Sequence, residues 1–290
     1  MDSTPSYRQV SIIGSGRVAA AMALALQTHI AAPLLVWGRD PARRDALVAT
    51  IPGSSAAPDL AAVAQQCDLI LIAVSDDAIA AVVTDLAACL PDGARPFILH
   101  LSGRSGAALL SPLQQRGALT AAVHPAMTFT GNPAQEVARM MGATFVITAD
   151  DAPAIAAARA LVAVLGGVAE QVAEGQRALY HAALCHAANH LVTLIAGSRE
   201  ALTAAGIGDP AALLGPLVRA ALDNSLDRGM AALSGPLLRG DMDTIGRHLS
   251  ALCADQPHLL PAYRAMAGAT LDAMEKHGHS VSPSLRTMLD

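Results

Sequence analysis

The sequence predicts an α/β fold in which a doubly wound, mostly parallel sheet is followed by an all-α C-terminal domain. Two observations support this prediction. Short apolar runs rich in β-branched residues alternate with helix-forming tracts over the first part of the 290-residue chain, as in successive βαβ units. After Glu174-Gly175 the helical periodicity continues and no strand pattern remains. We therefore predict a sheet domain in residues 1–172 and a helical domain in residues 173–290.

The predicted elements follow one another at the spacing of βαβ units. Strands are expected at 10–13, 34–37, 67–74, 97–101, 119–123, 143–148 and 168–172. Helices between them are expected at 17–26, 54–66, 78–89 and 152–165, and Asp40 is expected to cap another helix that starts at Pro41. In the second domain, helices are expected at 176–205, 211–230, 242–253 and 260–277.

A glycine-rich turn follows the first predicted strand. Gly14, Gly16 and Ala19 fit the dinucleotide-binding pattern G-x-G-x-x-(G/A) of the Rossmann fold. The first glycine permits the tight turn, the second lets the backbone approach a pyrophosphate, and the helix N-terminus offers N–H groups to phosphate oxygens. The pattern predicts a cofactor site at Gly14, Ser15, Gly16, Arg17 and Val18, and a purely structural turn is the alternative.

The end of the second predicted strand favours NADP(H) over NAD(H). An NAD-selective site usually has an acidic residue there, about 20 residues after the turn. In this chain Arg39 stands at that point, with Arg43 just beyond it, and Asp40 is assigned to the helix cap. We therefore expect Arg39 to meet a 2′-phosphate. A solvated basic helix start is the alternative interpretation.

Further candidate site residues lie where predicted strands end. Val74 and Ser75 follow one strand, Ser102 follows the next, and His124 follows the one after that. The carboxyl ends of parallel strands face the ligand crevice, so we expect Val74, Ser75 and Ser102 beside the ribose or nicotinamide. Ser102, Gly103 and His124 are also expected to lie near a bound substrate.

Three polar residues near these strand ends have competing interpretations. Asp76 and Asp77 could be catalytic carboxylates, but we favour a helix cap by one of them. His100 lies inside an apolar strand and is expected to be a hydrogen-bonded core histidine.

The long helix predicted after residue 175 carries a polar stripe. His181, Cys185 and Asn189 are spaced by four residues, next to Tyr180, and therefore share one helix face. An imidazole and a carboxamide on such a stripe could donate hydrogen bonds to a substrate oxygen, while a polar seam between helices is the alternative. His186 and His190 are also four residues apart, but without an evident third ligand we predict no metal site.

Arg239 lies between the helix breakers Gly235-Pro236 and Gly240, which predicts a constrained loop. Its guanidinium could bind a substrate carboxylate or could pair with Asp241 and hold the loop. The sequence leaves both interpretations open.

Composition and charge exclude several classes of protein. The net charge of −5 argues against nucleic-acid binding. Hydrophobic residues make up 53% of the chain, but polar residues, Gly or Pro interrupt the apolar runs before they reach membrane-spanning length. The polar first nine residues show no signal-peptide pattern, and the four scattered cysteines are expected to be reduced core residues. We therefore expect a cytoplasmic protein with no membrane and no nucleic-acid partner.

The order of these features is similar to bacterial oxidoreductases that join a Rossmann domain to a helical domain of unknown function. The motifs that carry the resemblance are Gly14-Ser15-Gly16, 68–79, His100-Leu101-Ser102-Gly103, His124-Pro125, Tyr180-His181, Asn189, Ser234-Gly235-Pro236, Arg239-Gly240-Asp241 and His248. More distantly the chain resembles ketopantoate reductases, pyrroline-5-carboxylate reductases and β-hydroxyacid dehydrogenases. The resemblance implies a homodimer formed through the helical domain and a small substrate that carries a carboxylate, with a 2-oxo acid of the ketopantoate type as the first candidate.

The expected function is NADPH-dependent reduction of that substrate in a cleft between the two domains. The lysine that β-hydroxyacid dehydrogenases carry on the long helix is absent, and His181 is the nearest ionisable replacement. We expect His181 to donate the proton, with His124 as second choice, Asn189 to orient the substrate oxygen and Arg239 to hold the carboxylate. An imine reductase, or a protein that binds NADP(H) without catalysis, are the alternatives.

Overall fold

The computed structural model describes residues 7–30 and 32–290. They form two compact units, one that ends at residue 186 and one that comprises residues 187–290. The strands are β1 Val10–Ile13, β2 Leu34–Trp37, β3 Ser54–Ala56, β4 Leu69–Ile72, β5 Phe97–His100, β6 Leu119–Pro125, β7 Thr144–Thr148 and β8 Val168–Gln171. The helices that begin in the first unit are α1 Arg17–Leu26, α2 Pro41–Thr50, α3 Leu60–Gln66, α4 Asp76–Cys89, α5 Ser111–Gln115, α6 Pro133–Met140, α7 Ala152–Val164 and α8 Arg177–Ala204.

The strands form one sheet in the order β3-β2-β1-β4-β5-β6-β7-β8. Every neighbouring pair is parallel except β6 and β7, which pair antiparallel with His124 opposite Val146. The chain starts in the middle of the sheet and winds outwards in both directions, which confirms the predicted α/β class. The carboxyl ends of β1, β4, β5 and β6 consequently lie along the same edge.

The sheet core explains why the apolar runs become strands. All four residues of β1 and all four of β4 are buried, and helices cover both faces of the sheet. Such strands read as continuous apolar segments because neither face meets water. The sheet positions the turns at its carboxyl edge on a rigid base.

One predicted helix is wrong. The tract 54–66 contains both β3 and α3, because Ser54–Ala56 extends the sheet by pairing in parallel with β2. Asp59 then caps α3 through the Ala62 N–H at 2.8 Å. Pro58 disfavours helical backbone at Ala57, so the helix does not extend back through residues 54–57.

The second unit is helical, as predicted. Its further helices are α9 Pro210–Arg228, α10 Pro236–Arg239, α11 Met242–Asp255, α12 Leu260–Lys276 and α13 Pro283–Leu289. A small core of apolar side chains from α11, α12 and α13 includes Ile245 and Leu271. The division predicted after residue 172 stays a prediction.

The surroundings of Arg239 differ from the expected loop. Arg239 ends the short helix α10, and Gly240 follows in the left-handed conformation. Asp241 uses its carboxylate to cap α11, accepting from the N–H and the hydroxyl of Thr244 at 3.1 and 2.8 Å. Within the described ranges no ion pair joins Arg239 to Asp241.

The cysteines are only partly in the core. Cys67 is buried, Cys89 and Cys185 are half-buried, and Cys253 is exposed, so the expectation of four core cysteines is wrong. All four thiols are free. No helix within residues 7–30 and 32–290 is both long and apolar enough to span a membrane.

Candidate cofactor and catalytic site

The glycine turn between β1 and α1 has the geometry of a phosphate cradle. Gly14 has φ of 130°, and a Cβ at this position would lie 2.2 Å from the Ala73 carbonyl oxygen. Only glycine therefore fits between β1 and β4. Gly16 is the N-cap of α1 and has no side chain to occupy the first N–H groups of the helix. These N–H groups and the helix dipole suit an anionic ligand.

A cavity of about 320 Å³ extends from this turn to the end of β2. Its lining includes Gly14, Ser15 and Gly16 on one side and Arg39 and Arg43 on the other. Both arginine side chains lie at the surface of the cavity, where they suit a phosphate group. These residues fit a dinucleotide whose adenosine ribose carries a 2′-phosphate.

Asp40 has the structural role predicted for it. Its carboxylate accepts from the N–H groups of Ala42 and Arg43 at 3.0 and 3.2 Å and caps α2. It also pairs with the Arg43 guanidinium at 3.4 Å. Arg39 makes no ion pair with any residue in the described part of the chain, which leaves its charge available to a ligand.

A second cavity of about 410 Å³ continues the groove along the carboxyl edge of the sheet. The predicted site residues that line it are Gly16, Arg17, Val18, Val74, Ser75, Ser102, Gly103 and His181. Phe129 also lies in the wall. Phe129 was not predicted, because it lies in an irregular segment that has no strand, helix or ligand-binding pattern of its own.

Asp76 and Asp77 do not cap α4, contrary to our preference. Ser75 is the N-cap, and the two acids lie in the first turn, where the helix dipole favours negative charge. Asp76 and Asp77 both pair with Arg104, at 3.0 and 2.7 Å. This cluster joins the start of α4 to the loop that follows β5.

His100 is a structural histidine, as expected. Its ring is fully buried, its Nε2–H donates to the Gly106 carbonyl at 2.9 Å, and its Nδ1 accepts from the Ser102 N–H at 3.2 Å. Burial lowers the pKa of His100 to about 4, so the ring is neutral at pH 7. The neutral ring shapes the loop that presents Ser102 and Gly103 to the cavity.

Tyr180 and His124 form a hydrogen-bonded pair that the sequence did not predict. The Tyr180 hydroxyl lies 2.7 Å from Nδ1 of His124. Burial, with a further contribution from the Arg177 charge, lowers the pKa of His124 to about 4. The two residues are 56 positions apart, so only the fold brings them together.

His181 stands beside this pair and reaches the cavity. The ring centroids of His124 and His181 are 6.2 Å apart, and both rings press against Gly103. A Cβ on Gly103 would lie 2.5 Å from Cδ2 of His181 and 2.9 Å from Nε2 of His124. Cys185 Sγ lies 3.8 Å from Nε2 of His181, so this part of the predicted stripe is formed.

The segment that carries Phe129 is held by a buried carboxylate. Glu136 is fully buried, and its Oε1 accepts from the N–H groups of Thr130 and Gly131 at 2.5 and 2.7 Å. These contacts fix the segment between β6 and α6 that carries Phe129. A single side chain thereby positions one wall of the second cavity.

Asn189 and Arg239 belong to the second compact unit. Both side chains are exposed there, and their catalytic roles stay predictions. His186 and His190 lie on α8 as expected. Among the residues that the structure describes, no group of three or more potential metal ligands is found.

Two family models match successive parts of the chain. Residues 2–125 match a Rossmann-like domain, and residues 143–270 match a domain of unknown function, DUF2520. The chain is therefore similar to a Rossmann-like domain followed by DUF2520, the order that its resemblance to two-domain oxidoreductases implied. A search of curated protein sequences finds no match.

Solved structures share the fold of the whole chain. A protein from Bacteroides fragilis described as an NADP oxidoreductase has a TM-score of 0.75 at 21% identity, covering 92% of this chain and 99% of its own. A reductive aminase from Aspergillus terreus, in complex with NADPH and ethyl-5-oxohexanoate, has a TM-score of 0.68 at 18% identity and covers 98% of both chains.

An imine reductase from Myxococcus stipitatus, in complex with NADP+, also has a TM-score of 0.68, at 20% identity. This match covers 97% of the present chain and 99% of the reductase. At such low identities these likenesses establish the fold.

Proposed function

We propose that the protein is an NADP(H)-dependent reductase of a small compound with a C=N or C=O bond. The observation that carries this proposal is the continuous groove from the glycine turn to His181. One end offers free helix N–H groups and arginines, and the other end offers an imidazole beside a small cavity. The NADP(H) complexes of the similar reductive aminase and imine reductase support the same function.

The residues that would hold the cofactor are those of the groove. The N–H groups at Gly16 and Arg17 would bind the pyrophosphate, and Arg39, supported by Arg43, would bind the 2′-phosphate. Val74, Ser75 and Ser102 would lie along the ribose and nicotinamide. When bound, NADPH supplies a hydride to the trigonal carbon of the substrate.

His181 is the proposed proton donor. The substrate nitrogen or oxygen gains an electron pair when the double bond is reduced, and it must then take up a proton. An imidazole exchanges protons readily near neutral pH, and the His181 ring lines the cavity. His124 is the second candidate and lies beside it, hydrogen-bonded to Tyr180.

The substrate class has two candidates. An imine is favoured by the ligands of the similar enzymes, which include cyclohexanone with allyl amine and dibenz[c,e]azepine. A 2-oxo acid of the ketopantoate type is favoured by Arg239, whose neighbour Asp241 is already engaged in capping α11. In that case Arg239 would hold the carboxylate and Asn189 would orient the oxygen.

We further propose that the protein is a homodimer formed through the helical domain and located in the cytoplasm. The dimer is supported by large apolar side chains on α8 and α9 that are exposed in the single chain, among them Val192, Leu217 and Leu226. A second copy of the same surface would remove them from water.

A substrate panel tests the proposal. Purified protein is mixed with NADPH and with cyclic imines, ketone and amine pairs, or 2-oxo acids, and NADPH absorbance is followed. We expect oxidation with members of one class. Tight NADPH binding without oxidation by any member would favour a non-catalytic NADP(H)-binding protein instead.

His181→Gln tests the assignment of the proton donor. The amide keeps a similar shape but cannot donate a proton, so we expect kcat to fall roughly 100-fold, within the range typical of general acid catalysis. The NADPH dissociation constant, measured by fluorescence, should stay unchanged. Unchanged turnover would remove His181 from the mechanism and leave His124 as the candidate.

A further inference from the structure

Arg177, the first residue of α8, is a buried cation that neither the cofactor site nor the proposed proton donor explains. Its side chain is only 2% exposed. The guanidinium donates to the Ser102 carbonyl at 2.5 Å, the Val146 carbonyl at 3.3 Å and the Thr148 hydroxyl at 3.2 Å. All three acceptors are neutral, and no carboxylate within the described residues forms an ion pair with it.

The positive charge of Arg177 persists despite burial. Burial lowers the pKa of the guanidinium, while Tyr180 and Glu174 oppose that change. Arginine nevertheless keeps its proton in proteins near neutral pH. Its Nε is buried without a hydrogen-bond partner among the described residues. Water screens a buried charge only weakly, so the guanidinium acts strongly on neighbouring groups.

The neighbours of this charge are the two residues of the unexpected pair. Arg177 Cζ lies 5.7 Å from the centre of the Tyr180 ring. The Tyr180 hydroxyl in turn lies 2.7 Å from Nδ1 of His124. A nearby cation disfavours a second positive charge on His124 and makes the Tyr180 hydroxyl a better hydrogen-bond donor.

We propose that Arg177 is a positioning residue that adds to the effect of burial in disfavouring a charged His124 ring and directs the Tyr180 hydroxyl proton towards its Nδ1. His124 then carries its own proton on Nε2, the nitrogen that faces Gly103. Two imidazoles this close cannot both be charged without repulsion. Arg177 and burial therefore both favour a neutral ring at His124, while His181 is the ring that lines the cavity.

Every charged or titratable group that faces His124 lowers its pKa and so favours the neutral ring, with one exception. Burial lowers the pKa of His124 most, followed by Arg177 and His181, and His100 lowers it slightly. Only Asp76 raises it, and Asp76 is already paired with Arg104. The Tyr180 pKa is raised by burial and lowered by Arg177, so its hydroxyl remains protonated near neutral pH.

The test is NMR of cofactor-free protein carrying ¹⁵N-labelled histidine, with His124→Gln to assign the signals. In the wild type at pH 7 we expect a neutral His124 ring with the proton on Nε2 and Nδ1 accepting a hydrogen bond. In Arg177→Gln, the titration midpoint of His124 should rise by at least about one pH unit, the lower end of the effect of a neighbouring charge.

Two further variants separate charge from shape. Arg177→Lys keeps the positive charge and should keep the wild-type midpoint of His124. Thr148→Val removes one hydrogen-bond acceptor of Arg177 and keeps the charge, so it should also leave the midpoint in place. Thermal melting of each variant reports whether it is folded.

Three results would overturn the inference. One is a protonated His124 in the wild type at pH 7, a measurement that needs no variant to fold. Another is a folded Arg177→Gln protein with an unchanged midpoint. The third is an equal rise in Thr148→Val.

The catalytic meaning of the inference rests on the proposed reductase function, but the NMR measurement does not. If no substrate were reduced while His124 behaved as expected, the proposed function alone would fail. If the enzyme is active, the pH profile of kcat should change in Arg177→Gln and stay unchanged in Thr148→Val.

Discussion

The first and second compact units differ in what their helices bury. The ten-residue helix α1 places six side chains in the core of the first unit. The 19-residue helix α9 of the second unit has no buried residue, and the structure describes all of its residues. Leu213 and Leu222 on α9 are about two and a half turns apart, so exposed leucines stand on opposite sides of the helix.

This difference separates the two tasks of the chain. The first unit has a complete core and holds every residue of the groove described above. A helix that is apolar on several sides is normally covered. We therefore expect the exposed leucines of α9 to be covered, and a second copy of the chain is the partner proposed above. The predictions below test each unit in turn.

The largest effect is expected from charges on α9. Leu217→Asp combined with Leu226→Asp would place two carboxylates in the proposed dimer interface. Each should weaken the dimer by roughly 100-fold, or about 3 kcal/mol, because a buried carboxylate lacks a partner there. Analytical ultracentrifugation measures the change, and NADPH binding by the first unit should persist.

Met141→Asp is the matched control for this experiment. Met141 is an exposed apolar residue of the first unit, and its replacement should leave the oligomeric state unchanged. A wild-type protein that is monomeric at high concentration would contradict the proposed dimer.

An intermediate effect is expected from acid, and it should originate in the first unit. His100 and His124 both have a pKa of about 4 when folded, against 6.5 ordinarily. Between pH 6.5 and 4 the two rings therefore bind protons in the unfolded chain but remain neutral in the folded chain. The contribution of these two histidines to the free energy of unfolding is fully present above pH 6.5. It falls as the pH drops from 6.5 to 4, by roughly 3 kcal/mol for each histidine.

His100→Gln isolates one of the two contributions. The amide can still donate to the Gly106 carbonyl but does not titrate, so the loss of stability between pH 6.5 and 4 should shrink by about half. Urea unfolding at several pH values measures this loss. His29→Gln, a change at an exposed ring, should reproduce the wild-type slope, and the same slope in His100→Gln would contradict the assignment.

The smallest effect is expected at the far end of the groove. Arg39→Ala should weaken NADPH binding roughly tenfold, or about 1.4 kcal/mol, because a charge-assisted hydrogen bond to the 2′-phosphate is lost. NADH binding should barely change, and so should the melting temperature. Arg95→Ala, at an exposed arginine outside the groove, is the control; an equal loss for both cofactors would show that Arg39 does not recognise the phosphate.

Local physical signals made the start of the chain predictable. The predicted bounds are confirmed for β1, α1 and β2. The signals that predict them, an apolar run, a glycine turn and a helix start, each span only a few residues. The groove residues Ser75 and Ser102 could be predicted for a related reason, since strand ends meet along one edge of a parallel sheet.

Features that depend on distant contacts could not be predicted. β3 has no strand pattern of its own and exists because it pairs with β2. Nothing in the sequence around Tyr180 indicates its contact with His124 or the burial of Arg177. The antiparallel pairing of β6 and β7 places Val146 opposite His124, and the Val146 carbonyl accepts from the Arg177 guanidinium.

Glu136 fixes Phe129 in place although its own side chain lies outside the cavity. The segment that carries Phe129 belongs to no strand or helix, and it owes its shape to backbone N–H groups gathered on one carboxylate. A different side chain at position 129 would therefore reshape the second cavity without altering sheet pairing. A catalyst engineer could vary substrate size at this residue while leaving both the nucleotide grip and the histidine pair intact.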